Sequence, residues 1–299
     1  MDIVDGLRLD GDEVRRRYDQ FEKNSELIRW DRPGERSVPW DKLAKKEVSL
    51  EELTVVKLVL YVESYADIYA DFLIEEFCPD KVFERFTRLW QREEQNHADQ
   101  LKHYLTAMGM DPAKITRDLL EPRQRPFTIG YVKNPVQATA YTYIQELLTA
   151  FFYGEFAKKV KEPALKVLLS RIIADEWRHF HWYEALVAQY RKANPKLTYQ
   201  EIIPIFKNFQ MPGRTILGPA YDAITEEIAK FMGFGFEAVT DLGSRIIATF
   251  GTWDGGRLLL NSQYVKDYKA FFSKPMETDE TRAIFAGFQT DIRQAVAAA

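Results

Sequence analysis

The 299-residue sequence is poor in the residues that several classes of protein require. Its single cysteine, Cys78, excludes an intramolecular disulfide and a cysteine-based zinc cluster, and it favours a reducing compartment. No stretch reaches the roughly 18 apolar residues of a membrane helix. The N-terminal residues lack the apolar core of a signal peptide. We therefore expect a cytoplasmic protein without a membrane span.

The overall charge is equally unremarkable. The formal net charge is −4, charged residues make up 29% of the chain and hydrophobic residues 46%. A mildly acidic chain has no general affinity for nucleic acid. The composition is that of a globular protein with a sizeable core.

Glycine and proline are absent from long stretches that carry helical periodicity. The pattern predicts four long helices over residues 49–77, 81–108, 136–161 and 163–191. Residues 109–135 form a long connection, with a short helical turn at 115–121. Shorter helices are predicted at Thr198–Asn208, Pro219–Met232, Phe236–Phe250, Gly256–Phe272 and Asp279–Ala298.

Two helix pairs joined by one long connection are the layout of a ferritin-like four-helix bundle. We therefore predict an all-α fold with additional N- and C-terminal helices, forming a single domain over residues 1–299. Residues 48–192 would be the four-helix core and 195–299 the accessory C-terminal helices. Residues 1–48 are polar, with Trp30 and Trp40 as isolated anchors, and the N-terminal helices are not given positions within them.

The chain has only four histidines, and two of them follow a glutamate by three residues. These pairs are Glu94–His97 and Glu176–His179, and the spacing puts both side chains of a pair on one helix face. Such a pair taken alone is more often part of a solvated surface. His103 and His181 have no glutamate at this spacing.

Two further glutamates lie where no local cation can pair with them. Glu146 is the single charged residue between Val136 and Gly154, and Glu63 has no basic residue between Leu58 and Lys81. An unpaired buried carboxylate costs several kcal/mol, so it must protonate, find a distant cation or bind metal. By contrast, Glu75, Glu76 and Glu155 lie near predicted helix ends, where solvation is expected.

The spacing between these residues repeats along the chain. Each half has a helix with one glutamate, followed about 30 residues later by a helix with Glu-x-x-His. Packed as a bundle, the two halves supply four carboxylates and two imidazoles, the ligand set of a di-iron or di-manganese centre.

At these residues the sequence resembles the soluble acyl-[acyl-carrier-protein] desaturases, the plant stearoyl type and its bacterial relatives. The likeness spans about residues 48–260. Its motifs are EEQNH (93–97), DEWRH (175–179), QELLT (145–149) and a Met-Pro pair at 211–212.

The resemblance implies specific roles. The metal ligands would be Glu63, Glu94, His97, Glu146, Glu176 and His179, holding two iron or manganese ions. Glu94 and Glu176 would bridge the metals, Thr149 would lie beside the oxygen-binding site, and Asp175 would orient a ligand histidine.

The sequence departs from the family at two points. Asn96 stands where the family has arginine. The family's N-terminal tryptophan, implicated in electron transfer, matches either Trp30 or Trp40.

The resemblance implies an oxygen-dependent oxidoreductase that introduces a double bond into an acyl chain. Its partners would be an acyl-carrier protein, a ferredoxin-type electron donor and O₂, and the enzyme would be a homodimer. Phe151, Phe152 and Tyr153 could line the substrate channel. Two basic segments could meet the acidic carrier, the first being Arg15–Arg17 and the second Lys158, Lys159, Lys161 and Lys166.

Two alternatives stay open. The same scaffold could hydroxylate or N-oxygenate a specialised metabolite, because the outcome depends on substrate placement. A non-enzymatic iron-binding protein is the other alternative, which the extended C-terminal third disfavours.

Overall fold

The computed structural model describes residues 4, 6–78, 80–233 and 279–298. Within these ranges the chain forms α-helices and three short 3-10 helices, and it contains no β-strand. The helices are α1 (Gly11–Ile28), α2 (Leu50–Glu63), α3 (Ala66–Phe77), α4 (Lys81–Ala107), α5 (Pro112–Leu120), α6 (Pro135–Lys159), α7 (Pro163–Ala193), α8 (Pro195–Asn208), α9 (Pro212–Leu217), α10 (Pro219–Met232) and α11 (Asp279–Ala298).

Two helical hairpins form the core of the fold. In the first, α4 packs along α2 and α3, and in the second, α6 packs along α7. Contacts of α4 with α7 and of α3 with α6 join the hairpins into one bundle. The long connection between the hairpins carries α5, as the sequence predicts. The predicted ferritin-like all-α fold is confirmed.

Four helices of the bundle begin at side chains that cap them. Ser49 and Glu52 form the reciprocal capping box visible in the sequence. Asp80, Asn134 and Glu162 accept hydrogen bonds from the first-turn amides of α4, α6 and α7. These caps place the four helix starts where the sequence predicts them, to within one residue.

The prediction of one continuous helix over residues 49–77 is wrong, because the chain breaks at Ser64 and Tyr65 into α2 and α3. The Ser64 hydroxyl donates to Leu60 O at 2.6 Å. Arg123, in the long connection between the hairpins, donates to Ser64 O at 2.7 Å. Arg123 also binds the Asp67 carboxylate. The break leaves Glu63 as the last residue of α2.

The N-terminal segment contains α1, a helix that the sequence analysis did not locate. Asp10 caps it, and Val14, Tyr18, Phe21 and Ser25 form its buried face. This face packs against α4 and α7. α1 therefore covers one side of the bundle.

The C-terminal helices cover another side. The predictions for 198–208, 219–232 and 279–298 are confirmed, with α8 starting three residues earlier, whereas Phe236–Phe250 and Gly256–Phe272 lie outside the described residues. α11 packs against α10 and α2, where the buried Lys57 donates to Asp291 at 2.8 Å. In the part of the chain that the structure describes, no helix has both the length and the apolar character of a membrane span.

Candidate metal centre

Six acidic and histidine side chains meet in the middle of the bundle. Each is at least nine-tenths buried. They come in turn from α2 (Glu63), α4 (Glu94 and His97), α6 (Glu146) and α7 (Glu176 and His179). The structure therefore brings together all six residues that the sequence points to as metal ligands.

The six side chains form two overlapping groups, each with ligand-type atoms within 4.8 Å of one another. The first group is Glu63, Glu94, His97 and Glu176, and the second is Glu94, Glu146, Glu176 and His179. Glu94 and Glu176 belong to both groups. This is the position of carboxylates that bridge two metal ions.

Both imidazoles turn Nδ1 toward the shared carboxylates. His97 Nδ1 lies 3.6 Å from Glu94 Oε2 and 3.4 Å from Glu176 Oε1. His179 Nδ1 lies 2.9 Å from Glu94 Oε1 and 3.6 Å from Glu146 Oε2. The Nε2 atoms are thereby left for partners on the outside of the cluster.

The donor atoms fit a pair of hard divalent cations. Buried atoms of the cluster that make no hydrogen bond are Glu94 Oε1, both Glu176 oxygens and the Nδ1 atoms of His97 and His179. Orphaned buried polar atoms are costly in a folded protein, and metal coordination satisfies them. Four carboxylates with one imidazole per metal suit iron or manganese.

The electrostatics point the same way. Burial raises the pKa of Glu63 to about 8, and the neighbouring Glu94 carboxylate adds to this shift. Burial also raises the pKa of Glu176 well above its usual range. Burial acts to lower the pKa values of His97 and His179, but the surrounding carboxylates raise both well above their usual range. The cluster thus favours bound positive charge.

An acid from the opposite helix contacts the outer nitrogen of each imidazole. His97 Nε2 lies 3.2 Å from Asp175 Oδ2, and His179 Nε2 lies 2.8 Å from Glu93 Oε2. A role in orienting a ligand histidine was predicted for Asp175 and not for Glu93. The available signal was that each acid directly precedes a glutamate of a Glu-x-x-His pair.

Arg178 joins these two acids on the outside of the cluster. Its guanidinium donates to Glu93 Oε1 at 3.1 Å and to Asp175 Oδ1 at 2.6 Å. Asn96, the residue that departs from the pattern of the resemblance, lines a small cavity beside the same two acids. One cation therefore serves both acids here.

The structure distinguishes the two N-terminal tryptophans. Trp30 is buried, its indole N–H donates to Asp175 Oδ2 at 2.8 Å, and its ring stacks on His97 with centroids 5.9 Å apart. Trp40 instead packs against His103, 4.5 Å between ring centroids. Of the two N-terminal tryptophans, Trp30 is the one connected to the cluster.

Two further side chains hold the outer carboxylates, and the sequence analysis assigned neither to the site in this way. Tyr153 of α6 donates its hydroxyl to Glu63 Oε1. Trp90 of α4 donates its indole N–H to Glu146 Oε1 at 3.0 Å. Each donor comes from a different helix than its carboxylate, so the sequence gives no local signal for either contact.

An apolar cavity of about 170 Å³ lies against the cluster. Its wall includes Glu63, Thr149 and Tyr153. The Thr149 hydroxyl donates to Gln145 O at 2.9 Å. Of the three aromatic residues expected to line a substrate channel, Phe152 and Tyr153 border this cavity, whereas Phe151 packs against the core.

Most of the cavity wall is aliphatic or aromatic, and these side chains come from α2, α6, α10 and the connection between α8 and α9. Polar side chains also contribute, since Arg214 and Asp222 form an ion pair at 3.0 Å on this wall. The cavity can therefore accept a hydrocarbon chain and still contact a polar group.

The curated relatives of this chain are acyl-chain enzymes by name. It is 31% identical over 114 residues to stearoyl-[acyl-carrier-protein] 9-desaturase 6 of Arabidopsis thaliana, covering 37% of this chain and 29% of the relative. It is 30% identical over 117 residues to acyl-[acyl-carrier-protein] desaturase 6 of Oryza sativa subsp. japonica, covering 37% and 28%. Each match therefore spans less than a third of the relative's own length.

A solved structure extends the likeness to most of the fold. DesA2 of Mycobacterium tuberculosis H37Rv matches with a TM-score of 0.58 at 19% identity, covering 87% of this chain and 97% of DesA2. At this identity the match concerns the fold alone. The family model described as fatty acid desaturase matches residues 62–235, which are more than half of the sequence and include all six residues of the cluster. The chain belongs to the fatty acid desaturase family.

Proposed function

We propose that this protein is an oxygen-dependent di-iron desaturase that acts on a fatty acyl chain attached to acyl-carrier protein. The observation that carries the proposal is the cluster of six buried ligand-type residues with an apolar cavity against it. Family membership and the names of the relatives support the reaction class.

Two iron ions would be held by Glu63, Glu94, His97, Glu146, Glu176 and His179. When bound, they would supply the redox chemistry with O₂ that removes two hydrogens from the acyl chain. Manganese could occupy the same oxygen-rich donor set.

The chain's own residues prepare this reaction in several ways. The apolar wall excludes water from the space beside Glu63, which protects a reactive site from side reactions. Phe152 and Tyr153 border that space, and Thr149 places a hydroxyl on the same wall. We propose that the Thr149 hydroxyl would take part in proton delivery to the metal centre, as the family resemblance implies.

The external electrons that this reaction with O₂ needs would enter along Trp30, Asp175 and His97. Hydrogen-bond distances of 2.8 Å and 3.2 Å link the three side chains in that order. A ferredoxin-type protein is the proposed donor. Asp175 would also fix the His97 ring so that Nδ1 faces the metals.

A second candidate is an oxygenase that hydroxylates or N-oxygenates a more polar substrate. The Arg214–Asp222 pair on the cavity wall favours it, because charged side chains there can contact the polar groups of a substrate. The ligand set suits both reactions.

Mass spectrometry of the acyl product separates the candidates. Protein loaded anaerobically with ferrous iron would receive reduced ferredoxin, a saturated acyl chain on acyl-carrier protein, and ¹⁸O₂. Desaturation removes two hydrogen atoms from the chain, whereas hydroxylation adds one ¹⁸O atom. The Glu146→Ala variant should be inactive, and Glu155→Ala on the same helix should retain activity.

Iron stoichiometry tests metal binding separately from the reaction. The wild-type protein should hold about two irons per chain, as expected for a carboxylate-bridged bundle site. Many irons per chain would favour iron storage. Failure to bind ferrous iron would exclude the proposed function.

A further inference from the structure

The segment before α2 lies beside the break between α6 and α7. Ala44 N–H donates to Glu162 Oε1 at 3.0 Å, a contact between residues 118 positions apart. Glu162 is fully buried and also caps α7. The lysines that flank Ala44 therefore lie beside those of the helix break.

The resulting surface is strongly basic. It comprises seven exposed lysines, here termed the lysine face: Lys42, Lys45, Lys46, Lys158, Lys159, Lys161 and Lys166. Over the same residues, 41–47 and 155–166, there are four acidic residues. The face is thus net positive on a chain whose formal net charge is −4.

The lysine face adjoins the end of the bundle that carries the cavity. Phe152 lines the cavity, and Lys159 follows it by seven residues on α6, a rise of about 10 Å. Lys159 Nζ lies 5.8 Å from the ring centroid of Phe231 on α10, the helix that supplies Thr225, Ile228 and Ala229 to the cavity wall. A molecule bound here could extend a chain into the cavity.

The other basic segment, Arg15–Arg17, is placed differently. It follows Asp10, whose N–H donates to Gln189 near the far end of α7. Gln189 is 26 residues from Pro163, or about 39 Å along the helix. Glu13 also pairs with Arg16 at 2.7 Å and with Arg17 at 2.6 Å. This segment is therefore remote from the cavity.

We propose that the lysine face is the docking surface for an acidic acyl-carrier protein, an inference that rests on the proposed function. Charge complementarity to an acidic partner would steer association and fix its orientation. The face lacks the exposed large apolar side chains that insert into a membrane surface. Among the described residues, such side chains are Leu27, Leu120 and Val296, and none belongs to it.

Charge reversal tests the surface directly. The patch variant carries Lys42→Glu, Lys45→Glu, Lys161→Glu and Lys166→Glu. The matched control carries Arg15→Glu, Arg16→Glu, Arg17→Glu and Lys23→Glu, four exposed positions on α1. Binding of palmitoyl-loaded acyl-carrier protein is measured at several salt concentrations, and circular dichroism checks the fold of each protein.

The patch variant should bind the carrier at least tenfold more weakly, mainly through slower association, with a smaller dependence on salt. The control should stay within about twofold of wild type. Equal binding by the wild type and the patch variant would overturn the lysine face, and so would an equal loss in the control.

The outcomes also separate this inference from the proposed function. Wild-type protein that holds two irons but does not bind the carrier would overturn both the partner and its surface. Cosedimentation with phosphatidylglycerol vesicles that the patch variant loses, while its carrier binding is unchanged, would assign the face to a membrane instead. Carrier binding lost only in the patch variant supports the lysine face whatever the reaction product.

Discussion

Glu176 contributes two buried oxygen atoms without hydrogen-bond partners to the middle of the bundle. Burial raises its pKa well above the usual range, with the Glu146 and Glu63 carboxylates adding to the shift. This shift favours the neutral form of the carboxyl group in the metal-free protein. The cluster is therefore built for ligand binding at the expense of stability.

We expect Glu176→Gln to abolish metal binding without destabilising the metal-free fold. The amide is neutral and nearly equal in size to the carboxyl group, but it cannot act as an anionic bridge. The metal-free variant should melt at or above the wild-type temperature, and the increase in melting temperature on adding ferrous iron should disappear.

Glu155→Gln serves as the control, because Glu155 lies on α6 away from the cluster and pairs with Lys158. It should keep the iron-dependent increase in melting temperature. A Glu176→Gln protein that still binds two irons would contradict the bridging role.

At the level of single residues, the sequence indicates the candidate metal ligands better than the side chains that hydrogen-bond to them. Glu146 was identifiable because it is the only charge in a long apolar stretch. Tyr153 and Trp90 were not, since each donates to a carboxylate on a helix that is distant in sequence. Local spacing carries no information about such contacts.

The break between α2 and α3 shows the same limit for whole helices. Caps such as the Ser49–Glu52 box are local, so the sequence predicts them. Ser64 and Tyr65 are ordinary helix residues, and the partner of the freed Ser64 carbonyl is Arg123, which lies 59 residues away. The break therefore has no sequence signature within the helix.

Replacing Arg123 with methionine should destabilise the protein by about 1–3 kcal/mol, because Ser64 O and Asp67 lose a shared charged donor. Urea unfolding monitored by circular dichroism measures the change. Arg117→Met on α5 is the control, since the Arg117 side chain is 67% exposed. An equal loss in both variants would exclude a specific role for Arg123 at the break.

The position of α1 was not predicted from the sequence, for a different reason. Its buried positions, Val14, Tyr18, Phe21 and Ser25, follow helical spacing, but the segment between them is dominated by charged and polar residues. Ser25 is buried because its hydroxyl donates to Glu93. A polar residue on a buried face conceals the periodicity that would otherwise reveal the helix.

For the molecule as a whole, polar contacts join the outer segments to the bundle. Lys57 of α2 donates to Asp291 and to Phe288 O of α11. Tyr141 of α6 donates to Gln210 O at 3.1 Å, and Gln210 N–H donates to the Tyr131 hydroxyl at 3.0 Å. The sequence predicts these helices but not the contacts that attach them.

Tyrosines that are largely buried make the fold sensitive to alkaline pH. Burial raises the pKa of Tyr131 and of Tyr190 to about 12. It raises the pKa values of Tyr104 and Tyr141 further above their usual range. In the unfolded chain tyrosine ionises near pH 10, so the folded state holds these protons more tightly.

Stability should therefore fall as the pH rises from 10 toward 12. The unfolded state binds fewer protons than the folded state in this window, and each such tyrosine removes up to about 1.4 kcal/mol per pH unit. Lys57 acts in the opposite direction, because burial lowers its pKa, but it is one group against four. Loss of helical circular dichroism should accompany the rise in tyrosinate absorbance as one cooperative transition.

The Tyr190→Phe variant provides the comparison, because Tyr190 lies in a small apolar cluster with Leu7 and Val136, away from the metal centre. Removing its hydroxyl should move the transition to higher pH and leave the transition cooperative. Gradual ionisation of all tyrosines near pH 10, with the helical signal unchanged up to pH 12, would show that burial of these side chains does not govern alkaline unfolding.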